Sequence, residues 1–304
     1  MELVTGENDS GRRLDRILRK ALADYPLPLI HRLLRQKKVL VNGKPAKAQD
    51  RIESGAKISI SSLPSQENGQ TQAPISRRLP APEILWQGSG LIAINKPAGL
   101  AVHGHDSLDD MVRSYLAEKL PASLSFKPGP LHRLDKPSSG IVVFSSSIEG
   151  ARLFTSLMRE HKVRKTYLAV VEGELKGEET WQDELVRNKE IKKTFVSQTT
   201  DGGKTAITKA APLAADGNYT LIKAEIATGR THQIRAQAAF HGYPLAGDKK
   251  YGGKKFGKGS GFFLHAWKLE FLEYTITAPL NGIYLPKSIS SNLQRTLKAF
   301  CGDF

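Results

Sequence analysis

Apolar residues near the start of the chain recur at helical spacing. Leu14, Ile17, Leu18, Ala21 and Leu22 stand at i, i+3, i+4, i+7 and i+8, which predicts a helix with one face to bury and its basic neighbours turned largely away. Asp9 or Ser10 is placed to cap its start. Pro28 at a helix-opening position, followed by Leu29, Ile30, Leu33 and Leu34, predicts a second short helix. Val39-Leu40-Val41, the turn pair Asn42-Gly43, and Ile58 and Ile60 alternating with polar residues predict short strands. From Ser62 to Pro82 the chain turns to Pro, Gln, Ser, Gly and Asn with almost nothing to bury. That composition marks a linker, 62–82, between a small domain at 1–61 and a larger one at 83–304.

Beyond the linker, Leu91 to Ile94 predicts a buried strand ended by Lys96-Pro97, and Leu108, Val112, Tyr115 and Leu116 a helix that Ser107 can cap. Ile141 to Phe144 reads as another strand, followed by a helix carrying Ala151, Phe154, Leu157 and Met158 on one face. Strand-like runs then dominate at Tyr167–Glu172, Lys193–Gln198, Tyr219–Ala227 and Phe262–Thr277, interrupted by one helix near Thr231–Phe240. Strands and helices mixed without regular alternation predict an α+β domain rather than a doubly wound one.

Charge narrows the partner. Lys and Arg outnumber Asp and Glu 45 to 30, a formal +15 over 304 residues, and between Gly11 and Gln49 eleven basic residues face two acids. Such an excess points to a polyanion, nucleic acid before membrane, since no apolar stretch of about 20 residues exists and the N-terminus lacks the order of a secretory signal. The single cysteine, Cys301, offers no internal disulfide and no thiolate cluster for zinc. It fits a reducing, cytoplasmic setting.

Candidate chemistry gathers in Pro130-Leu131-His132-Arg133-Leu134-Asp135-Lys136-Pro137-Ser138-Ser139-Gly140, which packs an imidazole, a guanidinium and a carboxylate into four residues before a strong strand. Alone it could be a turn holding an Arg–Asp pair. Downstream stand Arg164-Lys165-Thr166-Tyr167, Gly229-Arg230-Thr231-His232-Gln233-Ile234-Arg235 and Gly247-Asp248-Lys249-Lys250-Tyr251-Gly252. With Asn95-Lys96-Pro97-Ala98-Gly99-Leu100 and Val102-His103, these motifs, in order, resemble the RluA-type pseudouridine synthases, which isomerise uridine in RNA. The match spans roughly residues 83–280, and the first fifty residues resemble the S4-type RNA-binding module. Ser138 stands where threonine is usual, Lys136-Pro137 varies the loop, and Gly104 replaces a common proline.

The resemblance implies a pseudouridine synthase fold, a mixed and largely antiparallel sheet with flanking helices, preceded by a helix-helix-strand S4-type domain. It implies that Asp135 is the reacting carboxylate, that Arg235 pairs with it and keeps it ionised, that Tyr167 stacks on the target base, and that Arg133 fills or holds the gap left by an extruded base. On residue type alone Tyr167 is an ordinary core aromatic. His132 and His232 are read as structural. Breaking N1–C1′ and rejoining through C5 involves no net redox change, so neither cofactor nor metal is expected, and Asp135 can serve as nucleophile or as base on the way to a glycal.

RNA contacts are expected from Arg12, Arg13, Arg16, Arg32, Arg35, Lys37 and Lys38 in the small domain and from Arg230, Lys254 and Lys255 beyond it. Gly252–Lys258 mimics a phosphate loop, yet Gly259 stands where Ser or Thr should bind magnesium and strand-like residues follow. His103-Gly104-His105-Asp106 suggests a metal site without further ligands to complete it. The expected activity is isomerisation of uridine in structured RNA, ribosomal rather than transfer RNA, by a monomer. The rival readings are a non-catalytic RNA-binding or ribosome-assembly protein and an RNA glycosidase that releases the base.

Overall fold

The computed structural model describes residues 1–64, 79–197, 202–256, 261–280 and 290–301, so most of the expected linker and part of the glycine-rich run lie outside the described residues. In the N-terminal part, β1 (Glu2–Val4) leads to β2 (Arg12–Arg13), α1 (Leu14–Ala21), α2 (Leu27–Arg35), β3 (Val39–Val41), β4 (Lys44–Pro45), β5 (Arg51–Ile52) and β6 (Lys57–Ile60). Four strands form an antiparallel sheet in the order β1-β6-β3-β4. The β3–β4 hairpin turns on Asn42 and Gly43, both at positive φ (49° and 78°), as a primed two-residue turn requires. Leu14, Ile17 and Leu18 pack with Ile30, Leu33, Ile58 and Ile60 into one core, the periodic positions of the sequence.

The larger part holds β7 (Glu83–Gly88), β8 (Leu91–Lys96), α3 (Leu108–Ala117), β9 (Gly129–Pro130), β10 (Ser139–Ser145), α4 (Ile148–Arg159), β11 (Arg164–Glu172), β12 (Glu179–Asn188), β13 (Lys193–Val196), β14 (Lys204–Ala215), β15 (Tyr219–Ile226), α5 (Gln233–Phe240), β16 (Leu264–Phe271), β17 (Tyr274–Thr277) and α6 (Ser291–Cys301). One sheet runs β13-β12-β14-β15-β11-β16-β10-β8-β7, with β17 beside β16 and β9 beside β10. This is the expected α+β class. Ser107 caps α3, accepting from the Asp110 amide while Asp110 accepts from Ser107 N–H, a reciprocal box.

Among the described residues β10 and β16 form the one parallel pair, and the seam is tight. Gly140 lies opposite Ala266 at φ 103°, and a Cβ there would come within 2.3 Å of the Ala266 carbonyl oxygen. Only glycine allows that approach. Ala266 also faces Tyr167 on β11, so Gly140, Ala266 and Tyr167 lie in one row across three strands. Gly140→Ala is expected to cost about 2–3 kcal/mol by overpacking, read as a lower denaturant midpoint.

The start of α1 corrects an expectation. Neither Asp9 nor Ser10 caps it: the N-cap position is Arg13, with no side-chain cap. Asp9 is instead fully buried against the larger domain, where it accepts hydrogen bonds from Ser123 Oγ (2.8 Å), Leu124 N (2.9 Å), Ser125 N (3.0 Å) and Ser125 Oγ. Burial opposes the carboxylate charge, but the donors on Ser125, Gly6, Leu124 and Ser123 outweigh it and hold the group below its ordinary range. Asn8 Oδ1 accepts from Ile148 N at the start of α4 (3.0 Å), and Arg12 donates to Ser125 O and Oγ (3.0 and 2.8 Å). Leu124 packs on the N-terminal core. Local sequence favoured a cap; the long-range donors at 123–125 offered the carboxylate more partners.

Candidate active site

Asp135 sits on the loop between β9 and β10, and the loop is held from below. Ser138 N donates to Asp135 O (3.0 Å), closing a turn that delivers the chain into β10. Lys96, the last residue of β8, is fully buried, and its ammonium donates to the carbonyls of Pro97 (2.9 Å), Leu100 (2.7 Å) and Lys136 (3.3 Å). Gly99 N also donates to Lys136 O (2.8 Å). Together they pin the residue next to Asp135. Burial pushes the Lys96 pKa down to about 8, with the Asp135 charge acting the other way. His132 is neutral: burial first, then the charge on Lys165, lowers its pKa to about 4, and its Nε2 accepts from Val143 N (3.1 Å).

Across from this loop, α5 brings Arg235. Its NH1 donates to Asp135 Oδ2 (2.7 Å), while Nε and NH2 grip the two oxygens of Asp248 (2.6 and 2.9 Å). The guanidinium is packed between the rings of Tyr251 and Phe262, 4.9 and 4.3 Å from their centres. Burial works against its charge, and Asp248 with Asp135 more than offsets that. Asp248 is buried, so the planar fork is fixed by two bonds and NH1 is left to meet Asp135. His232, in left-handed conformation before α5, places Nε2 3.6 Å from Asp135 Oδ1 and Nδ1 2.8 Å from Tyr251 Oη. Burial lowers the pKa of His232, opposed by Asp135 and aided by Arg235, Lys250 and Arg187.

The outcome is an asymmetric carboxylate. Oδ2 is anchored by Arg235, whereas among the described residues Oδ1 has only the distant His232; Asp135 lines a cavity of about 70 Å³. Tyr167 also lines that cavity; burial and then the Asp135 charge raise its pKa, so the phenol stays protonated at any physiological pH. Ser138 also lines it, and its Oγ is buried with no hydrogen-bond partner among the described residues. The cavity is far below the roughly 300 Å³ of an ordinary ligand pocket. Arg133 and Arg230, both exposed, also line it.

Asp135, Tyr167, Arg235, Arg133 and Arg230 thus converge on one cavity. Arg133 makes no ion pair with Asp135, whose partners are Arg235 and His232. The other basic candidates lie elsewhere: Arg12, Arg13 and Arg16 line a cleft between the domains, and Arg32 and Arg35 a groove beside Tyr25 and Pro28. Lys37 and Lys38 follow α2, and Lys254 and Lys255 follow Gly253, where the Lys254 carbonyl accepts from Gly247 N (2.9 Å). The sequence reading assigned no role to Lys96, Asp248 or Tyr251. Gly247-Asp248 and Lys96-Pro97 were visible as motifs, but nothing local says that their charges are buried. His103 pairs with Asp109 and His105 with Asp106, and among the described residues no three His, Cys, Asp or Glu gather as a metal site. No helix among them is long and apolar enough to cross a membrane.

Comparison with known proteins identifies the family. A family model described as RNA pseudouridylate synthase matches residues 90–240, and an S4 domain model matches residues 12–58. The chain is 32% identical to ribosomal large subunit pseudouridine synthase C of Haemophilus influenzae, over 98% of this chain and 92% of that one, and 29% identical to the Escherichia coli protein of the same name, over 87% and 86%. Its fold is similar to the structure of human RNA pseudouridylate synthase domain containing 4, with a TM-score of 0.56 and 22% identity over 72% of this chain and 92% of that one. The ordered motifs, the sheet and the N-terminal module place this chain in the RNA pseudouridylate synthase family, as an RluA-type member with an S4 domain.

Proposed function

We propose that the protein isomerises uridine to pseudouridine in large-subunit ribosomal RNA and that Asp135 is the carboxylate that does it. The observation carrying this reading is the unequal state of the two oxygens of a carboxylate that lines the cavity: Arg235 holds Oδ2, and Oδ1 accepts no hydrogen bond among the described residues. Oδ1 either attacks C1′ or removes a sugar proton to give a glycal, and both routes break N1–C1′ with the electron pair leaving on the uracil. The base turns and C5 bonds to C1′, displacing Asp135 from C1′ on the first route or with Asp135 returning the sugar proton on the second; the C5 proton departs and N1 takes a proton, so product and substrate have the same mass. Arg235 positions the carboxylate and Tyr167 supports the base. Arg133 and Arg230 hold the extruded nucleotide and its phosphates.

Supporting the ribosomal substrate are the relatives named for the large subunit and the basic N-terminal module. The division into 1–61, 62–82 and 83–304 belongs to the same proposal, as do action as a cytoplasmic monomer and RNA backbone contacts by Arg32, Arg35, Lys37, Lys38, Lys254 and Lys255. With no redox step and no group to expel, the reaction needs no cofactor or metal, so activity is expected to survive EDTA once RNA folding is restored with magnesium. Large-subunit rRNA and tRNA transcripts labelled with tritium at uridine C5 provide the test. Tritium release from the rRNA with no free uracil is expected. Free uracil would assign a glycosidase, and release from tRNA alone would move the substrate.

A further inference from the structure

Between the two domains lies a cleft of about 1210 Å³, larger than the roughly 300–1,000 Å³ of small-molecule pockets. Nine of its nineteen lining residues are Arg or Lys and none is acidic. Arg12, Arg16 and Arg51 come from the N-terminal domain, and Arg113, Lys127 and Arg152 from the larger one. Arg113 is tied to Asp109 (2.9 Å), but Arg16, Lys127 and Arg152 are exposed and make no ion pair among the described residues. The walls repel one another as they stand. Burial first, and then the like charges of Arg152 and Arg16, draw the Arg12 guanidinium down from its ordinary pKa, with Asp9 opposing.

What keeps two repelling walls together is the buried joint at Asp9. The Ser123–Ser125 donors close on that carboxylate, and Gly6 lies so near Ala122 that a Cβ would come within 1.9 Å of its carbonyl oxygen. A protein that spends a buried carboxylate and a glycine contact to hold like charges across a gap has built a receptor for an anion with repeated charge.

We propose that this cleft binds the sugar–phosphate backbone of the substrate RNA, away from the target uridine, with both domains as walls and the Asp9 joint as the clasp that sets its width. The inference rests on the proposed RNA-modifying activity only for the identity of the polyanion. A free nucleotide would leave most of the cations unmatched; a chain with a phosphate at every step matches them. Residues of α3, α4 and the 122–129 loop therefore take part in RNA binding that motif comparison alone would assign to the N-terminal module.

The test measures binding of a fluorescent large-subunit rRNA fragment to full-length protein across a salt series. Each phosphate contact contributes about 0.7–0.9 to the slope of log affinity against log salt. Lys127→Gln with Arg152→Gln is expected to weaken binding and flatten the slope by about 1.4–1.8. As a charge-matched control, Lys223→Gln with Lys268→Gln removes two cations already paired to Glu225 and Glu270 (3.2 Å each) and is expected to leave the slope unchanged. Gly6→Ala removes no charge, and by wedging the joint it is expected to weaken binding as well. Wild-type affinity and slope in the cleft variant, or equal flattening by the control, would overturn the site; wild-type binding by Gly6→Ala would overturn the clasp. Wild-type protein that failed to bind the RNA at all would count against the RNA-modifying reading instead.

Discussion

Asp135→Asn is expected to eliminate tritium release from RNA labelled at uridine C5, a loss of at least about 10⁴-fold, because an amide neither attacks C1′ nor removes a sugar proton. The fold should survive. The amide oxygen can still accept from Arg235 NH1, and Arg235 keeps both bonds to Asp248. RNA affinity should also stay near wild type, since the arginines and lysines proposed to contact the backbone are all left in place. The separation between intact binding and absent turnover is the signature to look for. Appreciable turnover by the Asn variant would remove Asp135 from the chemistry.

Asp248→Ala is expected to be the more damaging change to the protein as a whole. It strips a buried guanidinium of two of its three carboxylate bonds and leaves the charge between Tyr251 and Phe262. Breaking a buried pair from one side costs about 3–5 kcal/mol, a large share of the 5–15 kcal/mol that holds a domain together. Turnover should fall even at temperatures where the variant stays folded, because nothing then aims NH1 at Asp135. Arg235→Lys should fail similarly: a single ammonium cannot reproduce a fork that meets two carboxylates at set angles. Chemical denaturation and tritium release on the same preparations separate the two effects, and wild-type stability for Asp248→Ala would refute the role given to the buried Arg235–Asp248 pair.

Legibility in the sequence followed the kind of signal each element carries. Helices α1 to α4 and strands β8, β10, β11 and β15 announce themselves through apolar periodicity or runs of buried Val, Ile and Leu, and their cores are those residues. The segment Phe262–Thr277 was readable as strand but resolves into β16 and β17, which fold back at Leu272, in left-handed conformation. By contrast β14 was missed. Its inward residues, Ala206, Thr208 and Ala210, are small because α5 lies against that part of the sheet, with Gln237 bonded to Ala206 O and to Thr208 Oγ1. Alanine, which recurs along β14, is depleted in strands. β12 was hidden by its charged outer face and α6 by a short apolar stripe near the chain end.

Site residues divide the same way. Asp135, Arg235 and Tyr167 were reachable because ordered motifs carry them. The partners that hold them, Lys96 and Asp248, are charged side chains whose burial depends on contacts 40 and 13 residues away, between Lys96 and Lys136 and between Arg235 and Asp248. The joint between domains was invisible for a stronger reason: Asp9 meets Ser123–Ser125 across more than a hundred residues, and a short-range cap was available to explain it.

The most direct measurement maps pseudouridine across large-subunit rRNA from cells that lack this protein, after complementation with the wild-type chain or with Asp135→Asn. One or more uridines should be converted by the wild-type chain and remain unconverted with the Asn variant expressed at the same level. Identical maps in the two complemented strains, or full conversion by Asp135→Asn, would contradict the claim that this carboxylate isomerises uridine in ribosomal RNA.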